Sequence, residues 1–95
     1  MLEKTIEKTI VQKANELGFL TYKFGSPCVR GVPDRMFICP SGNLFFIEFK
    51  SVKGKLSALQ EQEINKLIKW KQKVYVVNNI EIGLEILTKM LCVKN

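Results

Sequence analysis

The chain has 95 residues, of which 46% are hydrophobic and 25% charged, and 15 lysines and arginines set against 9 acids give a formal charge of +6. That length gives one domain, residues 1–95, with no room for a second core, and the composition excludes a disordered chain. With no histidine anywhere, Ser-His-Asp and Cys-His machinery, histidine-led zinc sites and nucleases with a histidine general base are all excluded.

The surplus of base suits an acidic partner such as nucleic acid, and equally a solubilising surface. No apolar run approaches the ~18 residues that cross a bilayer. MLEKTIEKTI lacks the apolar stretch of a secretion signal, so a cytoplasmic protein with no membrane partner is expected. Cys28, Cys39 and Cys92 are odd in number and far apart, which supports neither a disulfide framework nor a zinc site. Cys39 and Cys92 read as small core residues.

In chain order, Leu2, Ile6, Ile10, Ala14 and Leu17 recur at three- and four-residue steps, which predicts a first helix ending at Gly18. Phe19–Phe24 reads as a strand and residues 25–33 as a Gly/Pro-bounded loop. Arg35–Cys39 and Leu44–Lys50 are two strands joined by a hairpin turn at PSGN, followed by the basic loop SVKGK. Ser57 can cap a helix running to about Lys71, with Leu56, Leu59, Ile64, Leu67 and Ile68 inward. Lys73–Val77 reads as a strand whose VYVV is apolar throughout, as one buried on both faces would be. Ile80–Leu91 is a last amphipathic helix, whose Ile82, Ile86, Leu87 and Met90 suit either the core or a dimer contact. The expected fold is α/β, with the order α-β-β-β-α-β-α.

The acids within these segments raise the functional question. Asp34 opens a strand, where Asp is also a common turn residue. Glu48 lies among Leu44, Phe45, Phe46, Ile47 and Phe49, where an unpaired carboxylate is costly to desolvate. An ion pair with Lys50, on the same strand face, is the plain explanation. The alternative uses the hairpin, which can bring Asp34 and Glu48 together. Two adjacent carboxylates repel unless a cation lies between them, and oxygen ligands of this kind suit Mg²⁺ or Mn²⁺. Lys50 could then act on a water or stabilise charge at a phosphodiester. On a helical wheel at about 100° per residue, Glu3 and Glu7 fall within the apolar arc of the first helix, away from Lys4 and Lys8. Either could look across to the sheet, and position favours Glu7. Gln60 falls near the middle of an apolar helix face and needs hydrogen-bond partners there. It is either a satisfied structural amide or one that orients Lys50 or a catalytic water.

Pro33-Asp34 with Glu48-Phe49-Lys50 resembles the PD-(D/E)XK signature of restriction-endonuclease-like nucleases. The longer run RGVPDRMF … GNLFFIEFKSVKGKLSALQ is similar to the VRR-NUC (virus-type replication-repair nuclease) domain, with its G-V-P-D, its E-x-K and a glutamine at the place of Gln60. The strand Tyr22–Phe24 with Lys23 fits the same pattern. The opening IEKTIVQKANELGF also resembles archaeal-type Holliday-junction resolvases, whose helix-1 acid would fall on Glu7, whereas a VRR-NUC alignment could equally use Glu3.

The resemblance implies a restriction-endonuclease-like α-β-β-β-α-β core with a mixed central sheet and a C-terminal helix. It implies Glu7, Asp34, Glu48, Lys50 and Gln60 as catalytic residues. It also implies Mg²⁺ or Mn²⁺ on Asp34, Glu48, the Phe49 carbonyl and Glu7. Lys23, Arg30, Arg35, Lys53 and Lys55 are placed to hold DNA phosphates. Lys66, Lys69, Lys71 and Lys73 read as solvated surface. The expected activity is a metal-dependent, structure-selective endonuclease of the Holliday-junction resolvase kind. Its rivals are flap, single-strand or duplex nicking, and a non-catalytic DNA-binding subunit on the same fold. A four-way junction has two symmetric strands to cut, so a C2 homodimer on branched DNA is the expected assembly.

Overall fold

A computed structural model describes residues 1–92. In chain order the elements are α1 (Glu3–Glu16), β1 (Leu20–Lys23), β2 (Arg35–Ile38), β3 (Leu44–Phe49), α2 (Ala58–Lys69), β4 (Val74–Val77) and α3 (Ile80–Cys92). The strands form one mixed sheet in the order β1-β2-β3-β4. β1, β2 and β3 are antiparallel neighbours, and β4 lies parallel to β3. A parallel partner requires a crossover, and α2 provides it. This is the α/β fold that the element order predicts, with the mixed sheet that the resemblance implies.

Alternation along β3 divides the protein into two layers. Phe45, Ile47 and Phe49 point into the main core with Phe37 of β2 and Val77 of β4, against Ile6, Ile10 and Ala14 of α1 and Ile86, Leu87 and Met90 of α3. Phe37 and Phe45 stack with ring centroids 5.2 Å apart, and Phe19 meets Phe45 edge-on at 6.0 Å. Such pairs add about 0.5–1.5 kcal/mol each beyond area burial. Gly83 lets α3 close on α1, because a β-carbon there would run into Ile10. Three members of the apolar face of α3 thus belong to the core, while Ile82 stays exposed.

The opposite sheet face carries Phe46 and Glu48 beneath α2. Only Ile64 of α2 is fully buried, and Leu59 and Ile68 are each 50% exposed, so the inward face expected for this helix is much narrower in the structure. β4 is likewise not buried on both faces. It is a sheet edge, and Val76 is 42% exposed. Cys39 is buried and its thiol donates to the Met90 carbonyl at 3.3 Å. Cys92, expected in the core, is exposed at the end of α3. Among the described residues no helix is long and apolar enough to cross a membrane.

Candidate active site

The β2–β3 register pairs Arg35 with Ile47, so Asp34, one residue earlier, falls across from Glu48. An oxygen of Asp34 accepts the backbone N–H of Phe49 at 2.8 Å. This bond ties the residue before β2 to the end of β3 and fixes the two acids side by side.

Glu48 is 1% exposed. Its Oε2 accepts from Gln60 Nε2 at 2.9 Å and lies 3.4 Å from Lys50 Nζ. Its Oε1 is buried and has no hydrogen-bond partner among the described residues. Burial, followed by repulsion from Asp34, pushes the Glu48 carboxyl from 4.5 up to about 7, while Lys50 pulls the other way. Asp34 is also raised, first by burial and then by the nearby charge of Glu7, against the lowering effect of the Phe49 N–H and Lys50. With both acids ionised Oε1 meets no donor; a proton on the pair can be shared between Glu48 and Asp34.

Gln60 faces the sheet one turn before Ile64, as the helical pattern suggests, and sits in the first turn of its helix. It is the third residue of α2, in a capping box: Ser57 Oγ accepts the Gln60 N–H at 3.1 Å, and Gln60 Oε1 accepts the Ser57 N–H at 2.9 Å. The remaining amide nitrogen is thereby aimed at Glu48. Of the two readings open from the sequence, the contacts are those of a satisfied amide, which touches the Glu48 carboxylate itself and positions it. Gly31 brings the preceding loop against the same turn. Its φ is +88°, and a β-carbon there would come within 2.5 Å of the Leu59 carbonyl oxygen. Only glycine combines that conformation with that approach.

The helix-1 acids are close but engaged differently. Glu7 Oε2 accepts from Arg35 Nε at 2.7 Å in a largely buried ion pair. Glu3 is exposed and contributes only charge, opposing ionisation of Glu48. Among the described residues no three of His, Cys, Asp and Glu converge as a metal cluster. Asp34 and Glu48 are the converging pair.

Lys50 is anchored by its own N–H, donated to Val77 O at 2.9 Å. Ser51–Gly54 then forms a tight turn, with Gly54 N donating to Ser51 O at 2.9 Å, and this turn presents Lys53 and Lys55 to solvent. Lys23 and Arg30 are exposed, and with Lys53 and Lys55 they form no ion pair among the described residues. Sequence reasoning missed the part played by Gly31, although a glycine three residues before Asp34 was the available signal.

The donor set fits a hard divalent cation. All its atoms are oxygens, Asp34 opposes ionisation of Glu48, and a buried carboxylate oxygen lacks a partner among the described residues. Asp34, Glu48 and Lys50, read together from the sequence, lie side by side in the fold.

No family model matches the chain. It is 35% identical over 81 residues to "Putative nuclease p44" of Acyrthosiphon pisum secondary endosymbiont phage 1, covering 85% of this chain and 87% of that protein. A solved VRR_NUC domain superposes with a TM-score of 0.83 at 25% identity, covering 90% of this chain and 94% of the other. With the fold and a phage relative in agreement over nearly the whole length, the chain belongs to the VRR-NUC family of nuclease domains.

Proposed function

We propose that the chain is a divalent-metal-dependent, structure-selective DNA endonuclease of the Holliday-junction resolvase kind, acting in the cytoplasm as a homodimer. The observation that carries the metal-dependent reading is the buried, unpartnered Oε1 of Glu48 beside Asp34. A buried carboxylate oxygen without a donor is costly, and a cation removes that cost.

Mg²⁺ or Mn²⁺ would be held by Asp34, Glu48 and the Phe49 carbonyl, with water and substrate oxygens completing the shell. When bound, such an ion supplies Lewis-acid charge to a phosphodiester and makes water a better nucleophile. Gln60 keeps the Glu48 carboxylate from rotating. The Lys50 ammonium, held beside Glu48, is placed to donate to the attacking water or to a phosphate oxygen. While Arg35 holds Glu7, that acid contributes charge at Asp34 and no ligand atom. Arg30, Lys53 and Lys55 would take phosphates near the scissile bond.

The homodimer reading has its own support. Leu20 and Tyr22 lie opposite Ile38 and Met36 in the β1–β2 register, and those in turn oppose Leu44 and Phe46. Directly opposed residues share a sheet face. Leu20 and Tyr22 remain 54% and 51% exposed, so the β1 side of this apolar face stays largely uncovered. A second copy meeting it about a two-fold axis would suit the two symmetric strands of a junction.

The test is a cleavage assay on a labelled four-way junction, a flap, a plain duplex and a single strand, each with Mg²⁺, Mn²⁺ or EDTA. Paired symmetric nicks in the junction, abolished by EDTA, are expected. Metal-dependent cutting of the flap or duplex in preference would discard the resolvase assignment and keep the nuclease. Cutting undiminished by EDTA would discard the metal.

A further inference from the structure

A concavity of about 770 Å³ lies apart from Asp34, Glu48 and Lys50. It lies between α1 and the β1 edge of the sheet, lined by Lys4, Glu7, Lys8, Val11, Gln12, Asn15, Glu16, Lys23 and Arg35. Resting on the nuclease reading, we infer that this groove is the track for the DNA strand flanking the scissile phosphate, with Lys4 and Lys8 as backbone-phosphate contacts.

Four observations carry the assignment. The first is charge. Of the two acids in the groove, Glu7 is neutralised by Arg35 at 2.7 Å and Glu16 faces Lys13 at 3.8 Å, whereas Lys4, Lys8 and Lys23 form no ion pair among the described residues. An anionic polymer entering the groove meets uncompensated ammonium groups. The second is periodicity. Lys4, Lys8 and Gln12 succeed one another at four-residue steps, with Asn15 three further on, so charged and amide donors form one stripe along the helix.

The third is continuity with the carboxylates. Arg35 follows Asp34 directly, Lys23 is the register partner of Arg35, and the Phe24 N–H donates to the Asp34 carbonyl at 2.9 Å. The groove therefore starts at the end of the sheet where Asp34 and Glu48 meet. The fourth is length. From Lys4 to Asn15 the helix advances about 16 Å at ~1.5 Å per residue, which matches roughly five nucleotides at ~3.4 Å per step along one strand of a duplex. Stem-like lysines and amides with no convergent base-reading pair suit backbone contacts, which position DNA without reading its sequence.

Lys4→Ala/Lys8→Ala tests this by fluorescence anisotropy on a fluorescein-labelled four-way junction with Ca²⁺ in place of Mg²⁺, across a salt series. The matched control is Lys66→Ala/Lys69→Ala on α2, which removes the same charge elsewhere. Each lost phosphate contact lowers the slope of log affinity against log salt by about 0.9. The groove variant is thus expected to lose roughly 1.8 in slope per bound copy and at least about five-fold in affinity at low salt, with an unchanged melting temperature. Lys4→Arg/Lys8→Arg is expected to restore both. If wild type binds and cuts while the groove variant matches the α2 control, the groove assignment is overturned and the nuclease reading stands. If wild type neither binds nor cuts the junction or a plain duplex, both fall together.

Discussion

Glu48 lies in the middle of the problem that the site solves. One of its oxygens is held by Gln60 and Lys50; the other is buried without a donor among the described residues. Its carboxyl is pushed to about 7 by burial and then by Asp34. Since the folded-state value exceeds the unfolded one, the folded protein binds more protons between pH 4.5 and about 7. This contribution to stability is fully present below 4.5 and is lost as pH rises through 7. A displacement from 4.5 to about 7 corresponds to a loss on the order of 3 kcal/mol. Urea denaturation in EDTA is therefore expected to show stability falling across that interval in wild type and a much flatter profile in Glu48→Gln. Adding Mg²⁺ or Mn²⁺ should recover stability most strongly near and above pH 7, because the ion favours the ionised carboxylate. Equal pH profiles for wild type and Glu48→Gln would contradict the strained-carboxylate account.

At the scale of elements, the α2 N-terminus and the loop before β2 act as one unit. The Ser57–Gln60 capping box sets the first turn, and Gly31 lets the loop that leads to Asp34 press against its backbone. Gly31→Ala must either abandon φ +88° or push against Leu59, and is expected to cost about 1–3 kcal/mol. Gly25→Ala, in open space without a left-handed φ, serves as the neutral comparison in the same urea titration. How far this was legible in sequence varies with the kind of interaction. The mostly apolar run LFFIEFK revealed β3 and made Glu48 conspicuous, because desolvation of a carboxylate is costly wherever the strand lies. Helical spacing put Gln60 on the inward face, where it lies, but did not reveal its capping role, which Ser57-x-x-Gln60 encodes as a capping-box pattern. VYVV reads as a buried strand because composition records side chains and not neighbours. β4 became an edge because the α2 crossover leaves no strand beyond it. Similarly, a helical wheel puts Lys4 and Lys8 on the polar side of α1, but only the packing of α1 against β1 shows that this side forms a groove.

On the scale of the whole molecule, the two sheet faces are unequal. One is closed by α1 and α3 into the main core, while the other is covered by α2 only in part, leaving Leu20 and Tyr22 exposed beside Met36, Ile38 and Leu44. The homodimer assignment predicts that Tyr22→Glu, which places a charge on that face without touching the main core, shifts the light-scattering mass from two copies toward one. It further predicts that junction cleavage changes from paired to single nicks. A wild-type mass of one copy would remove the dimer from the account. VRR-NUC membership, supported along nearly the whole chain by both the fold and the phage relative, is independent of that outcome.

The central claim is that Asp34, Glu48 and Lys50 form the metal-dependent site for phosphodiester hydrolysis. Its most direct test is single-turnover cleavage of a labelled junction by wild type, Asp34→Asn and Lys50→Ala in Mg²⁺, with binding of the same junction measured in Ca²⁺. The account predicts that both variants bind within a few-fold of wild type and cut at least about 10²-fold more slowly. Cleavage at the wild-type rate by either folded variant would contradict it.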